Sequence, residues 1–146
     1  MADLQDYSDH VGKCLITFQY IEEILKQILL RIHLLIQIRL KDYIHYDVDS
    51  RCESVMNISM ERLINFYKIY CENKDLISKL RKIKDHRNDI AHKGFIMEYE
   101  EMHNSNNLEL KISELKEINE FAKTTLFELI QHIKEIEKKI SQVSKD

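Results

Sequence analysis

Hydrophobic side chains recur every three or four residues along most of this chain, and that spacing predicts α-helices. The first predicted helix covers residues 8–44, and the second covers residues 58–71. A third begins near Asn73 or Asp75, either of which could cap its first turn, and ends at Gly94. The pattern therefore divides most of the chain into amphipathic helices.

The segments between these helices, and the helix lengths, complete the prediction. The sequence DYIHYDVDSRCES, residues 42–54, is predicted to be a polar connector, and residues 95–112 an irregular loop. Ser113 is predicted to cap a long last helix, whose apolar positions continue to Ile140. The first helix would reach roughly 50 Å, so we expect it to bend or break once.

The composition supports an all-helical fold. The 146 residues include no proline and two glycines, so the turn residues of β-sandwiches and barrels are scarce. Leucine, isoleucine, glutamate and lysine, which favour helices, dominate the sequence. We therefore expect residues 1–146 to form a single all-α domain, an up-and-down bundle of four or five helices.

One cation interrupts the apolar face of the third helix. At 100° per residue, Arg87 falls about 20° from Leu76, in the middle of the apolar positions. A cation there must be paired, face a partner subunit, or line a cleft that water reaches. Glu22 falls inside the apolar arc of the first helix in the same way. It is therefore the leading candidate to pair with Arg87 or to orient it, unless the pair only fixes helix register.

Positive charge is concentrated around Arg87. The formal net charge of −3 argues against general coating of nucleic acid, yet residues 79–93 contain six basic and two acidic residues. Two interpretations stay open for this segment. It is either a solvated, lysine-rich helix face, which is common, or a surface that binds an anionic partner.

The segment RNDIAH, residues 87–92, resembles the R-x4-6-H motif of the HEPN superfamily, helical domains of prokaryotic defence and toxin systems. Asn88, directly after the arginine, and the position near the end of a helix are also similar to that family. FQYIEEILKQIL in the first helix and MERLINFYKIY before the motif resemble HEPN helices. The whole chain is about the size of one HEPN domain, so the resemblance implies a HEPN-like bundle.

Other parts of the sequence qualify this resemblance. Arg39 with His45 and Arg81 with His86 have the same spacing as the motif. Arg81 points away from the apolar face by its helical angle, whereas the angle of Arg39 does not set that pair aside. HEPN toxins paired with nucleotidyltransferase antitoxins usually have tyrosine two residues after the histidine. This chain has Gly94 there, which argues against that subfamily.

The resemblance implies an endoribonuclease without metal or other cofactor, in a toxin or phage-defence (abortive infection) system. RNA supplies its own nucleophile, the 2′-hydroxyl, so the protein needs a proton carrier and a cation for charge developing on phosphate. Histidine titrates near neutral pH, and arginine offers a planar fork to phosphate oxygens. Arg87, His92 and Asn88 are the predicted catalytic residues, with Glu22 in support.

A site of this kind is expected to need two copies of the chain. On a regular helix His92 lies about 140° around from Arg87, so the two side chains diverge. They converge if the last turn is distorted, or if a second copy faces the first across a two-fold axis. We prefer the homodimer, with RNA held by Lys82, Lys84 and Lys93. An antitoxin or regulatory protein is a further expected partner, because an unrestrained ribonuclease would poison its host.

The alternative is a HEPN module that binds a nucleotide or assembles with another protein without cutting RNA. The basic cluster would then hold the nucleotide or the protein partner. Arg87 would be a structural ion-pair residue in that case.

The sequence offers little to other classes of function. It contains no H-E-x-x-H motif, no clustered cysteines and no tight acidic group, so we expect no metal site. Cys14, Cys52 and Cys71 lack C-x-x-C spacing, and the first residues lack a signal-peptide pattern, so we expect reduced thiols in a cytoplasmic protein. The most apolar stretch, ILLRIHLLIQIRL, contains charged residues and is not expected to cross a membrane.

Overall fold

The computed structural model describes residues 3–93 and 105–145, and the regular structure in them is helical, without a strand. The predicted all-α class is therefore confirmed for the described residues. Within residues 3–93 and 105–145 five helices follow one another: α1 (Leu4–Leu40), α2 (Val48–Met56), α3 (Met60–Tyr70), α4 (Lys74–Lys93) and α5 (Ser105–Ser144).

α1 begins with a capping box, in which Asp3 accepts from the backbone of Asp6 and Asp6 accepts from the backbone of Asp3. It continues as one α-helix to Leu40, so a break is wrong, whereas the alternative of a bend stays a prediction. The helix contains no proline, and its apolar face packs chiefly against α5. The buried hydrophobic residues of that face are Val11, Cys14, Phe18, Ile21, Leu25, Ile28, Leu29 and Ile32.

α2 lies within the segment that was predicted to be a polar connector. The Asp47 side chain caps it by accepting a hydrogen bond from the backbone N–H of Ser50. Val55 is its one buried residue, and α2 packs against α1. Its apolar residues, Val48, Cys52, Val55 and Met56, recur at helical spacing, but nine residues are too short a stretch for this pattern to be distinguished from a polar connector.

Of the predicted starts of the last two helices, the first is confirmed and the second is wrong. Asn73 caps α4, because its Oδ1 accepts from the backbone N–H of Leu76 at 3.1 Å. The cap at Ser113 is wrong, since α5 already begins at Ser105 and Ser113 lies inside it. The predicted loop over 95–112 is therefore wrong for residues 105–112; residues 95–104 and the predicted stop at Gly94 lie outside the described residues.

Two polar contacts fix α5 along α1. The hydroxyl of Thr17 donates to Oδ1 of Asn119 at 2.7 Å, and Nε of Arg31 lies 2.8 Å from Oε1 of Glu137. Helices α2, α3 and α4 pack around α1, and α4 also packs against α5. The remaining large hydrophobic side chains at the centre of the bundle are Met60, Leu63, Ile64, Tyr67, Leu80, Ile83 and Leu129.

The sequence also predicted reduced cysteines and no helix that crosses a membrane. In the described chain all three cysteines are free. The buried Cys14 thiol donates to the carbonyl oxygen of Leu115 at 3.3 Å, and burial raises the pKa of that thiol to about 11. None of the described helices combines the length and the apolar character that a membrane crossing requires.

Candidate functional site

Arg87 lies in the C-terminal half of α4, on the face that carries the buried residues Leu80, Ile83 and Ile90. Its Nη2 is 3.5 Å from Oε2 of Glu22, which α1 presents from the opposite wall. The ion pair indicated by the helical angles is therefore present. The two side chains differ in exposure, with 36% of Arg87 and 11% of Glu22 accessible to water.

The Arg87 guanidinium has hydrogen-bonding capacity beyond this ion pair. A guanidinium carries five N–H donors, and one carboxylate at 3.5 Å engages only part of them. Water around a partly exposed pair also screens the attraction between the two charges, so the pair contributes little to stability. Arg87 is thus a permanent cation that is partly exposed to water and forms an ion pair with the nearly buried carboxylate of Glu22.

Asn88 and His92 follow Arg87 along the same helix, and both side chains are exposed. The helix remains regular through Lys93, so no distortion of its last turn turns His92 toward Arg87. On that regular helix the two side chains diverge by about 140°. A single chain therefore does not bring the predicted catalytic groups together.

The three lysines predicted to hold RNA do not form one surface. Nζ of Lys82 lies over the ring of Phe121 in α5, 5.8 Å from its centroid. Lys84 lies about 160° around the helix from Lys82 and lines a cleft on the α3 side. The side chain of Lys93 lies outside the described residues.

Two other arginine–histidine pairs have the motif spacing, and in one of them the two residues line different clefts. Arg39 is exposed in the last turn of α1, and His45 is exposed beyond the end of that helix. Arg81 lines clefts between α3 and α4. His86 instead lines a cleft of about 440 Å³ between α4 and α5, with Asp89.

Sequence reasoning missed a polar pair that joins α3 to α5. The hydroxyl of Tyr67 is hydrogen-bonded to Nδ1 of His132, and the two rings meet edge to face with centroids 5.5 Å apart. Burial raises the pKa of Tyr67 and lowers the pKa of His132, so both groups are neutral at pH 7. His132 follows Leu129 by three residues, and that helical spacing was the available signal.

A second missed pair attaches the connector before α2 to α1. Nδ1 of His33, which is buried, lies 2.7 Å from the hydroxyl of Tyr46, and the Arg51 guanidinium lies over the Tyr46 ring. Burial and then the positive charge of Arg51 lower the pKa of His33. The pair therefore acts as a neutral hydrogen bond that helps to position the connector.

Across residues 3–93 and 105–145, no three or more His, Cys, Asp or Glu side chains are grouped so that they could hold a metal ion. Comparison of the chain with protein-family models, curated proteins and solved structures found no match.

Proposed function

We propose that this chain is a HEPN-type endoribonuclease of a toxin or phage-defence (abortive infection) system, and that it cuts RNA without a metal ion. One observation carries the proposal. About a third of the Arg87 side chain on α4 is accessible to water, while the nearly buried Glu22 forms an ion pair with it. Asn88 and His92 are exposed on the same helix. The resemblance of residues 87–92 to the R-x4-6-H motif supports the same assignment.

The proposed reaction uses the 2′-hydroxyl of RNA as nucleophile. Its oxygen forms a bond to the adjacent phosphorus as the bond from phosphorus to the 5′-oxygen breaks. One His92 imidazole accepts the 2′-hydroxyl proton, and a second imidazole donates a proton to the leaving 5′-oxygen. Arg87 donates hydrogen bonds to the phosphate oxygens, where negative charge increases in the transition state. The products are a 2′,3′-cyclic phosphate and a 5′-hydroxyl.

The proposed enzyme is a homodimer, because this reaction needs two imidazoles and one chain supplies a single His92. The exposed Asn88 and His92 are available to a second copy of α4 across a two-fold axis. In that arrangement Asn88 binds phosphate or steadies the site. Glu22 is a positioning residue, since it contacts Arg87 and fixes the direction of the guanidinium.

Cleavage of total RNA in the presence of a chelator tests this proposal. We expect purified wild type to cut RNA as a dimer, with a molar mass twice that of one chain. Arg87→Ala should lower the rate by about 100-fold or more, because a donor to the developing charge is lost. His92→Ala should lower it by a factor on the order of 100 to 10,000, because proton transfer is lost.

Two matched histidine variants control for nonspecific effects. His45→Ala and His86→Ala each remove an imidazole from another pair with the motif spacing, and should cut RNA at the wild-type rate. If His86→Ala lost as much cleavage activity as His92→Ala, the result would indicate that the catalytic site lies in the cleft between α4 and α5. Cleavage by a strictly monomeric wild type would contradict the composite site.

A second candidate function is supported by the ion pair itself. Because Arg87 has an anionic partner within the chain, it could act as a structural residue of a HEPN module that binds a nucleotide or another protein. The same experiment separates the two. RNA that stays intact with the wild-type dimer, together with binding of RNA or a nucleotide, would favour the module over the enzyme.

Restraint by another protein is part of the proposal. A dimer that cut RNA freely in a cytoplasm would damage the cell that makes it. We therefore expect an antitoxin or regulatory protein that covers α4 or prevents pairing. Its binding should protect RNA from the wild type and should weaken when exposed residues of α4, such as Asn88, are substituted.

A further inference from the structure

An open groove runs between α3 and α4, and it consists of two adjoining clefts of about 620 Å³ and 120 Å³. Arg81 lines both clefts, so they share one wall. Lys68 and Lys74 line the larger cleft, and Lys84 lines the smaller. We call this surface, defined by Lys68, Lys74, Arg81 and Lys84, the α3–α4 groove.

The charge of the α3–α4 groove differs from that of the chain as a whole. Its four cations face Glu72 in the larger cleft and Glu61 in the smaller, and Nζ of Lys84 also lies 3.5 Å from Oδ1 of Asp85. The whole chain, by contrast, has a net charge of −3. Within the described residues, Lys68, Lys74 and Arg81 form no ion pair with another side chain. Their positive charge is therefore available to an anion.

The outer face of α5 shows that such an arrangement is not general in this molecule. Between residues 114 and 139 that helix carries five lysines and six glutamates, so its positive charges alternate with negative ones. Lys134 and Lys138 are exposed there and stand beside Glu135 and Glu137. An anionic polymer would meet no net attraction on that face, in contrast to the α3–α4 groove.

The groove shares one face of α4 with two of the three predicted catalytic residues, Asn88 and His92. Counted at 100° per residue from Leu76, Lys74, Arg81 and Lys84 fall between about 80° and 160°. Asn88 at about 120° and His92 at about 160° fall in the same sector. From Lys74 to Asn88 the helix rises by about 21 Å, a length that several nucleotides of a single strand can follow. Cations in the groove are thus in line with the proposed proton carrier.

We propose that the α3–α4 groove binds the sugar–phosphate backbone of single-stranded RNA and leads the strand to Asn88 and His92. The assignment of RNA rests on the proposed function, whereas the anion-binding character rests on the four cations. A single strand fits better than a duplex, because recognition of double-stranded RNA spans about 16 base pairs and the groove is far shorter. Arg81, at the middle of the groove, offers a planar guanidinium to phosphate or to a base.

Salt-dependent binding of a labelled twelve-nucleotide oligouridine tests the groove. The measurement uses His92→Ala protein in chelator, so that the RNA stays intact, and follows fluorescence anisotropy between 50 and 200 mM salt, a range over which phosphate contacts lose affinity steeply. Four phosphate contacts give a slope of log K against log salt of about −2.8, since each contributes about −0.7 on a single strand. Adding Lys68→Gln and Arg81→Gln should bring the slope to about −1.4.

A matched pair of substitutions removes the same charge elsewhere. Lys134→Gln with Lys138→Gln on α5 should leave the slope and the affinity within about twofold of the parent, because those lysines stand beside glutamates. If the first groove pair lowers the melting temperature, Lys74→Gln with Lys84→Gln removes two other charges of the same groove and should give the same slope.

The outcomes separate this proposal from the proposed function. Equal losses in the groove pair and the α5 pair, no binding by the parent, or tighter binding of a duplex of equal length would overturn the groove. With His92 restored, Lys68→Gln and Arg81→Gln should raise the KM for RNA at least fivefold with kcat nearly unchanged. Groove-dependent binding without any cleavage would retain the groove and reject the enzyme. Cleavage with an unchanged KM would retain the enzyme and reject the groove.

Discussion

Among the polar pairs that join helices of this bundle, two differ in charge and in access to water. Tyr67 and His132 join α3 to α5 through a hydrogen bond between neutral groups, and Tyr67 is fully buried. Arg87 and Glu22 join α4 to α1 through opposite charges 3.5 Å apart, with a third of the arginine side chain exposed. Both pairs lie beside the same hydrophobic core.

The difference indicates which pair serves the fold and which is available to a ligand. A neutral, buried hydrogen bond is costly to break because the remaining partner loses its solvation as well. A partly exposed ion pair adds little to stability, yet its cation can still contact an anion that approaches from solvent. The Tyr67–His132 pair therefore serves stability, whereas Arg87 keeps donors available to an anion. A role of the Arg87–Glu22 pair in RNA cleavage stays a prediction.

The largest expected effect on stability comes from truncating Tyr67. Tyr67→Ala should lower the free energy of unfolding by about 3–5 kcal/mol, because it leaves a cavity in the core and removes the partner of His132. Arg87→Ala should lower it by only about 1 kcal/mol. Chemical denaturation measures both, with the exposed Tyr20→Ala as a control within about 0.5 kcal/mol of wild type. Equal costs for the Tyr67 and Arg87 variants would contradict the comparison.

The next effect concerns Glu22 and tests its positioning role. Glu22→Gln keeps the size of the side chain but removes the charge that holds Arg87, so RNA cleavage should fall about tenfold, or ~1.4 kcal/mol in the barrier. The free energy of unfolding should change by less than about 1 kcal/mol. The rate at saturating RNA is the measurement. An unchanged rate would mean that Glu22 only fixes helix register.

A smaller effect isolates the hydrogen bond of the buried pair. Tyr67→Phe keeps the ring and removes the hydroxyl that bonds to His132, so the free energy of unfolding should fall by about 1 kcal/mol. Cleavage of RNA should stay at the wild-type rate, because the pair lies outside the candidate site. If the variant lost RNA cleavage while fully folded at the assay temperature, the result would contradict a purely stabilising role of the Tyr67–His132 pair.

The smallest expected effect is a dependence of stability on pH. Burial lowers the pKa of His132 below its usual value of 6.5. The charge of Lys139 lowers this pKa further, and the charge of Glu135 opposes the shift. The unfolded chain then binds more protons than the folded chain as pH falls below about 6.5, so stability falls in that direction. The loss levels off below the folded-state pKa. Between pH 7.5 and 5, the melting temperature of His132→Gln should decline less than that of wild type. The decline that remains in the variant is due in part to His33, whose pKa is also lowered by burial.

The candidate site was predictable to the extent that it depends on one helix at a time. The place of Arg87 on the apolar face of α4, and of Glu22 on that of α1, follows from counting residues at 3.6 per turn. Two charges inside two apolar faces leave each other as the natural partners, and the structure places them 3.5 Å apart. The role of these residues in catalysis stays a prediction.

Features that depend on how helices meet were not predictable in the same way. Lys82 and Lys84 are close in sequence, but Lys82 lies over Phe121 of α5 and Lys84 lines a cleft beside α3. Their positions about 160° apart around α4 follow from the helical count, but which helix each lysine faces depends on the packing. The sequence pattern alone groups the two lysines in one basic run, because it records charge but not the identity of the neighbouring helix.

The sequence by itself determined the helical class, the approximate course of α1, α3 and α4, and the unusual position of Arg87. Helical geometry is local, since each backbone hydrogen bond joins residues four apart, and a repeating pattern therefore records it directly. Only the tertiary structure decided the unbroken length of α1, the existence of α2, the Tyr67–His132 pair and the α3–α4 groove. Those features depend on contacts between residues far apart in the chain, and such contacts leave no period in the sequence.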